Sequence, residues 1–124
     1  MVVMTDAPLD ARNLERLAKR AMMGLAKTGG IASNGSGDYV IAVSTAKENF
    51  IPYSDNSLFR EAKILRNDAI SPLFLATIEA TEEAILNSLF AAESMVGRKG
   101  HEVKSLPIEK VIDIMKKYNK INRD

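Results

Sequence analysis

The chain has 124 residues, 46% of them hydrophobic and 27% charged, the balance of an ordinary soluble domain, and the composition reads as cytoplasmic. With 17 Lys and Arg against 16 Asp and Glu the formal charge is +1, which points to neither nucleic acid nor an anionic membrane as a partner. The absence of cysteine and the single histidine, His101, exclude disulfides, thiol nucleophiles, thiolate metal sites and multi-histidine zinc sites.

Met1-Val2-Val3-Met4-Thr5 is a run of strand formers whose continuity suits burial on both faces. A reading frame that opens inside a core strand is expected to be the second piece of something longer, the alternative being a short terminal edge strand. Pro8 closes a turn, and a helix follows from about Asp10 to Lys27. Leu14, Leu17, Ala18, Ala21, Met22 and Leu25 recur at helical spacing and form its core stripe, while Arg12, Glu15, Arg16, Lys19 and Arg20 read as a solvated face. Gly29 or Gly30 supplies a left-handed cap.

A small-residue loop, Thr28 to Asp38, leads into a predicted strand over Tyr39–Thr45. Residues 46–70 are polar and irregular, with room for a short element between Leu58 and Leu65. A long helix is predicted next, with Ser71 as N-cap, Pro72 as first helical residue, and an end at Val96 before Gly97. Its apolar residues surround most of the cylinder, so it is expected to be covered on more than one side. A glycine-bounded loop carries His101, and a short helix runs from Pro107 to about Tyr118, ahead of a polar tail over 119–124. No apolar run reaches the roughly 18 residues of a membrane-spanning helix.

The order is strand, helix, strand, irregular segment, long helix, short helix, read as a single domain over 1–124 with no internal repeat. Two core strands cannot make an independent sheet with a covered face, so strands from elsewhere are expected to complete it.

The Gly-rich loop is the one segment suited to a ligand or a reaction. As a phosphate cradle it fails, because no Gly-Lys-Ser/Thr follows and the loop opens a strand, whereas phosphate loops open a helix. What remains is a backbone able to approach a ligand closely, with Ser33, Asn34, Ser36 and Asp38 as hydrogen-bonding groups. On its own, Asn-Gly-Ser-Gly-Asp before a strand is equally the composition of an ordinary turn. His101 reads as a surface residue, having no acid or serine partner at fixed spacing. Glu79, Glu82 and Glu83 read as a solvated stripe or a pairing with a neighbouring chain, and the six methionines as core filler.

Three segments taken together are more specific. Thr5-Asp6-Ala7-Pro8-Leu9, Ala32-Ser33-Asn34-Gly35-Ser36-Gly37-Asp38, and the stretch from Glu79 through Glu93 to Gly97-Arg98-Lys99-Gly100-His101 resemble the self-cleaving aminopeptidases of the DmpA type. That family includes the L-aminopeptidase/D-esterases and the β-peptidyl aminopeptidases. The resemblance covers nearly the whole chain, with residues 46–70 the least informative part.

The resemblance implies an α/β fold, here a portion of a four-layer α-β-β-α sandwich completed by a larger α chain cut from the same precursor, and an oligomer of αβ units. It implies a serine nucleophile at the new N-terminus of the β chain, activated by its own α-amine, with no cofactor and no metal. Ser36 falls where the family has a second active-site serine, and Asp38 where an acid completes the hydrogen-bonded group. The family's nucleophile lies about eight residues before the aspartate of the Thr-Asp-Ala-Pro motif, so it is expected about three residues upstream of Met1. These 124 residues alone are therefore expected to be inactive. Two other readings stand beside this one: an ornithine acetyltransferase-like subunit, which shares the Thr-Asp-Ala motif and uses threonine, and a non-catalytic remnant serving as an assembly module.

Overall fold

A computed structural model describes residues 1–121, which divide into two units, Met1–Glu83 and the residues from Ala84 on. In the first unit, helix α1 covers Ala11–Lys27 and is closed at both ends by its own sequence. The Asp10 carboxylate accepts from the Asn13 amide at 2.9 Å, satisfying one of the donors that a helix start leaves open. At the other end Gly29 adopts φ 93°, which lets its amide reach the Ala26 carbonyl at 3.1 Å and the Gly30 amide reach Leu25 at 3.2 Å. This is a Schellman cap, and Gly29 is the left-handed residue in it.

Strands β1 (Val2–Thr5) and β2 (Ile41–Ser44) pair in parallel, Val2 opposite Ile41 and Thr5 opposite Ser44, with α1 as the crossover. The pairing extends past both ends. The Thr45 amide donates to Thr5 at 2.8 Å, the Ile41 amide to Met1 at 3.1 Å, and the Met1 amine to the Tyr39 carbonyl at 2.7 Å. One face of β1 turns to the core, where Val3 packs against Leu9, Leu17 and Ile70. The other face is open, with Val2 66%, Met4 68% and Ile41 63% exposed. Burial on both faces, expected from the apolar run, is therefore not reached within the described residues, because α1 covers one face only.

Helix α2 spans Ser71–Ala91. Ile70 occupies the capping position, its carbonyl accepting from Leu73 at 3.0 Å and Phe74 at 3.3 Å, so Ser71 opens the helix and is not its cap. Helix α2 rests on α1 where Gly24 has no side chain: a Cβ there would stand 2.7 Å from both the Ile78 carbonyl oxygen and Thr81 Cβ. Thr77 and Thr81 are buried in this contact, and their hydroxyls donate back to the carbonyls of Leu73 and Thr77 at 2.7 Å each. The polar atoms are thereby satisfied inside the helix, and methyl groups meet α1.

Two features of the α1 surface differ from the sequence expectation. Arg16 and Arg20 are half-buried, their guanidinium carbons 4.8 and 3.9 Å from the Phe74 ring centroid, which is cation–π packing instead of a solvated stripe. Glu82 forms an ion pair with Lys27 of the same chain.

Between β2 and α2 the chain makes short 3₁₀ turns at Lys47–Asn49 and Asn67–Ala69, with no helix or strand between Leu58 and Leu65. The Asn49 carboxamide clasps Lys63 on both sides, donating to its carbonyl at 2.8 Å and accepting from its amide at 2.9 Å. Residues 50–62 thus form a closed excursion that presents Tyr53, Leu58 and Phe59 to solvent.

In the second unit the long helix stops at Ala91, five residues before the predicted end at Val96. Met95–Val96 (β3) instead pairs antiparallel with Glu102–Val103 (β4). Lys99 at φ 59° and Gly100 at φ 76° reverse the chain, and the Gly97 amide closes on the His101 carbonyl at 2.8 Å. Ser94 anchors the hairpin base by accepting from the Ser105 amide at 2.9 Å. Helix α3 spans Ile108–Lys117. It ends in a second Schellman cap, with Asn119 at φ 55° and the Lys120 amide on Met115 at 2.9 Å. The rest of the predicted tail, 122–124, lies outside the described residues. None of the six methionines is buried, contrary to their reading as core filler.

Candidate active site

The loop between α1 and β2 begins at the Gly29 cap and ends where β2 enters its ladder, so both ends are held by regular structure. Ala32 takes φ 47°, and a turn over Ser33–Ser36 follows, closed by the Ser36 amide on the Ser33 carbonyl at 2.8 Å. Asn34 and Gly35 occupy its corner. Immediately after the turn the Ser36 hydroxyl donates to the Asp38 carboxylate across Gly37. Both sequence-predicted residues are therefore brought together, and both are exposed.

This pair has definite chemical consequences. With its proton engaged by Asp38, Ser36 Oγ turns its lone pairs outward and becomes an acceptor for a hydroxyl or amine placed beside it. The carboxylate fixes that orientation and favours the electron-rich form of the hydroxyl. Of the remaining sequence candidates, His101 is at the β3–β4 turn of the second unit, and Glu82 is tied to Lys27. Among the described residues no group of three or more His, Asp or Glu is gathered to hold a metal ion, and no helix is long and apolar enough to cross a membrane.

Sequence reasoning passed over the backbone that abuts this pair. Met1 sits opposite Val40 in the parallel ladder, with its amine on the Tyr39 carbonyl, so the first residue of the chain lies two positions from Asp38 along the neighbouring strand. The signal was the register of two strands, which pattern alone does not fix.

Known proteins resemble the chain over nearly its whole length. The model for peptidase family S58 matches residues 1–103. The chain belongs to that family. It is 40% identical over 121 residues to the β-peptidyl aminopeptidase BapA of Sphingosinicella microcystinivorans, covering 98% of this chain and 30% of that protein. The crystal structure of the PH0078 protein from Pyrococcus horikoshii superposes with a TM-score of 0.84 at 48% identity, over 97% of this chain and 34% of that one. The L-aminopeptidase D-Ala-esterase/amidase of Ochrobactrum anthropi, a prototype for the serine aminopeptidases, gives 0.83 at 30% identity, over 98% and 34%. The resemblance to DmpA-type aminopeptidases is thus correct, and the α/β fold is similar to that of an Ntn-hydrolase variant. The chain spans about a third of the length of these relatives.

Proposed function

We propose that this chain is the β-chain portion of a self-processed serine aminopeptidase, which releases N-terminal residues from short peptides, amides or esters, and that Ser36 and Asp38 serve its nucleophile. One observation carries the reading: the ladder position of Met1 opposite Val40. A strand continuing upstream in the same register passes Tyr39, then Asp38, then Gly37. A serine about three residues before Met1 would therefore lie against Gly37, flanked by Ser36 and Asp38.

In this reading the nucleophile's hydroxyl oxygen bonds to the substrate carbonyl carbon as its proton passes to the nucleophile's own α-amine. Ser36, oriented by Asp38, accepts a hydrogen bond from that amine and keeps its lone pair aimed at the proton in flight. Collapse breaks the C–N bond, the proton leaves with the departing amine, and an ester to the serine remains. Water then attacks that ester by the same proton route, releasing the free acid and restoring the serine.

The open face of β1 and β2, with Val2, Met4 and Ile41 exposed, supports a second sheet supplied by a larger α chain, completing a four-layer sandwich. The oxyanion donors and the pocket for the substrate amine would also come from that chain.

The test is intact-mass and N-terminal analysis of the complete protein, together with hydrolysis of aminoacyl amides. Two chains, the smaller beginning with serine slightly upstream of Met1, and release of the free N-terminal residue are expected. An uncut chain that hydrolyses no such substrate would refute the proposal. Acetyl transfer between ornithine derivatives without amide hydrolysis would replace it with the transferase reading.

A further inference from the structure

We infer that Tyr39 is a specificity-determining residue, its ring forming an apolar wall for the side chain of the substrate residue being released. The inference rests on the reading of Ser36 and Asp38 as part of the catalytic centre. Its observation is separate: the Tyr39 ring folds back over Gly37, so that a Cβ on that glycine would stand 3.5 Å from Tyr39 Cε2 and 4.0 Å from its hydroxyl oxygen. The ring therefore borders the same stretch of backbone that carries Ser36 on one side and Asp38 on the other.

The backbone of Tyr39 is fixed while its side chain is uncommitted. Its carbonyl is held in the β1–β2 ladder by Met1 at 2.7 Å, yet the residue is 80% exposed and its hydroxyl makes no hydrogen bond among the described residues. A large aromatic on a rigid strand end contributes contact area at small entropic cost, because only two side-chain torsions need to be ordered. Alternation along the strand puts Tyr39 on the side of Ile41, the exposed apolar face shared with Val2 and Met4. The ring thus stands at the end of the face proposed to carry the α chain's sheet, where that face gives way to the Ser36–Asp38 pair. The substrate class this favours is a peptide, amide or ester whose first residue has a bulky apolar side chain.

The experiment uses the complete protein and two aminoacyl p-nitroanilides, one of alanine and one of leucine. Tyr39→Ala is expected to lower kcat/KM for the leucine substrate roughly tenfold, mainly through KM, and to leave the alanine substrate within about twofold. Tyr39→Phe, which keeps the ring, is expected to stay within about twofold of wild type on both. Equal loss on both substrates, no loss on either, or a Phe variant as impaired as the Ala variant overturns the inference. Tyr39→Thr, which removes the ring and suits a strand, replaces the Ala variant should that fold poorly; an unchanged leucine-to-alanine ratio in it overturns the inference as well. Wild-type protein inactive on both substrates refutes the catalytic reading itself, whereas active wild type with an indifferent Tyr39 refutes only the wall.

Discussion

The carbonyl of Tyr39 accepts a 2.7 Å hydrogen bond from the amine of Met1, one residue beyond Asp38. Strand β1 and the Ser36–Asp38 loop are thereby parts of one ladder, and the loop inherits the positional precision of the sheet. A pair of hydrogen-bonding groups on a free loop would sample many orientations; this one is tethered at its C-terminal side by β2 and at its N-terminal side by the Gly29 cap.

Replacing Ser36 with alanine in the complete protein is expected to lower kcat by about 10²- to 10⁴-fold, the range for a lost proton-handling group, with KM little changed. Asp38→Asn should act in the same direction and less severely, because an amide oxygen still accepts from Ser36 but carries no charge. Steady-state kinetics beside a thermal melt separates this from misfolding. Full activity of the Ser36 variant would remove it from the mechanism.

At the crossing of α1 and α2 the test is steric. A Cβ at Gly24 would lie 2.7 Å from Thr81 Cβ and from the Ile78 carbonyl oxygen, neither of which can swing away. Gly24→Ala should therefore cost about 1–3 kcal/mol by overpacking, although alanine is the better helix former. Denaturant unfolding of the complete protein gives the value, and a neutral or stabilising result would show that the helices can separate freely.

The two Schellman caps offer a matched pair. Gly29→Ala forces a Cβ into the left-handed region at φ 93° and should cost about 1 kcal/mol or more. Asn119→Gly, at φ 55°, should be neutral or slightly stabilising by the same reasoning. A loss of unfolding free energy at Gly29 with none at Asn119 is the expected outcome; equal losses would contradict the conformational argument.

On the exposed side of α1, the hydrogen bond and positive charge of Lys19 hold the Glu15 carboxyl below its usual range, with an N–O distance of 2.6 Å. A depressed folded-state pKa contributes stability that is present above the unfolded-state value and lost as pH falls through the folded-state one. In Lys19→Met the Glu15 titration, followed by NMR, should move up toward ordinary glutamate. A Glu15 midpoint that does not move would assign the shift to something other than Lys19.

Much of this was legible from local chemistry. The Asp10-to-Lys27 helix, its glycine cap, the residues of the two strands and the proximity of Ser36 to Asp38 follow from spacing, capping preferences and a family resemblance, all carried by neighbouring residues. What escaped was set by distant contacts. Arg16 and Arg20 have the look of solvent residues until Phe74 arrives from the far end of the unit, and Glu82 has no visible partner until α2 lies on α1 and meets Lys27. Met95 and Val96 continue a helical pattern; only the reversal at Lys99 and Gly100 recruits them as a strand. Tyr39 lay in plain view as a strand former, and its position over Gly37 depends on the loop's path.

The clasp that Asn49 places on Lys63 bears on how this scaffold can diversify. Because the Asn49 carboxamide holds the two ends together, the chain leaves and rejoins the unit at one place, and none of residues 50–62 belongs to the core cluster of Leu9, Leu17 and Ile70. Lengthening such a closed excursion costs only about 0.6 kcal/mol per doubling, so chain entropy opposes an insertion at this point only weakly. Residues 50–62 are thus a natural port for grafting a tag, an epitope or a new recognition surface, provided Asn49 and Lys63 are kept as its hinge pins.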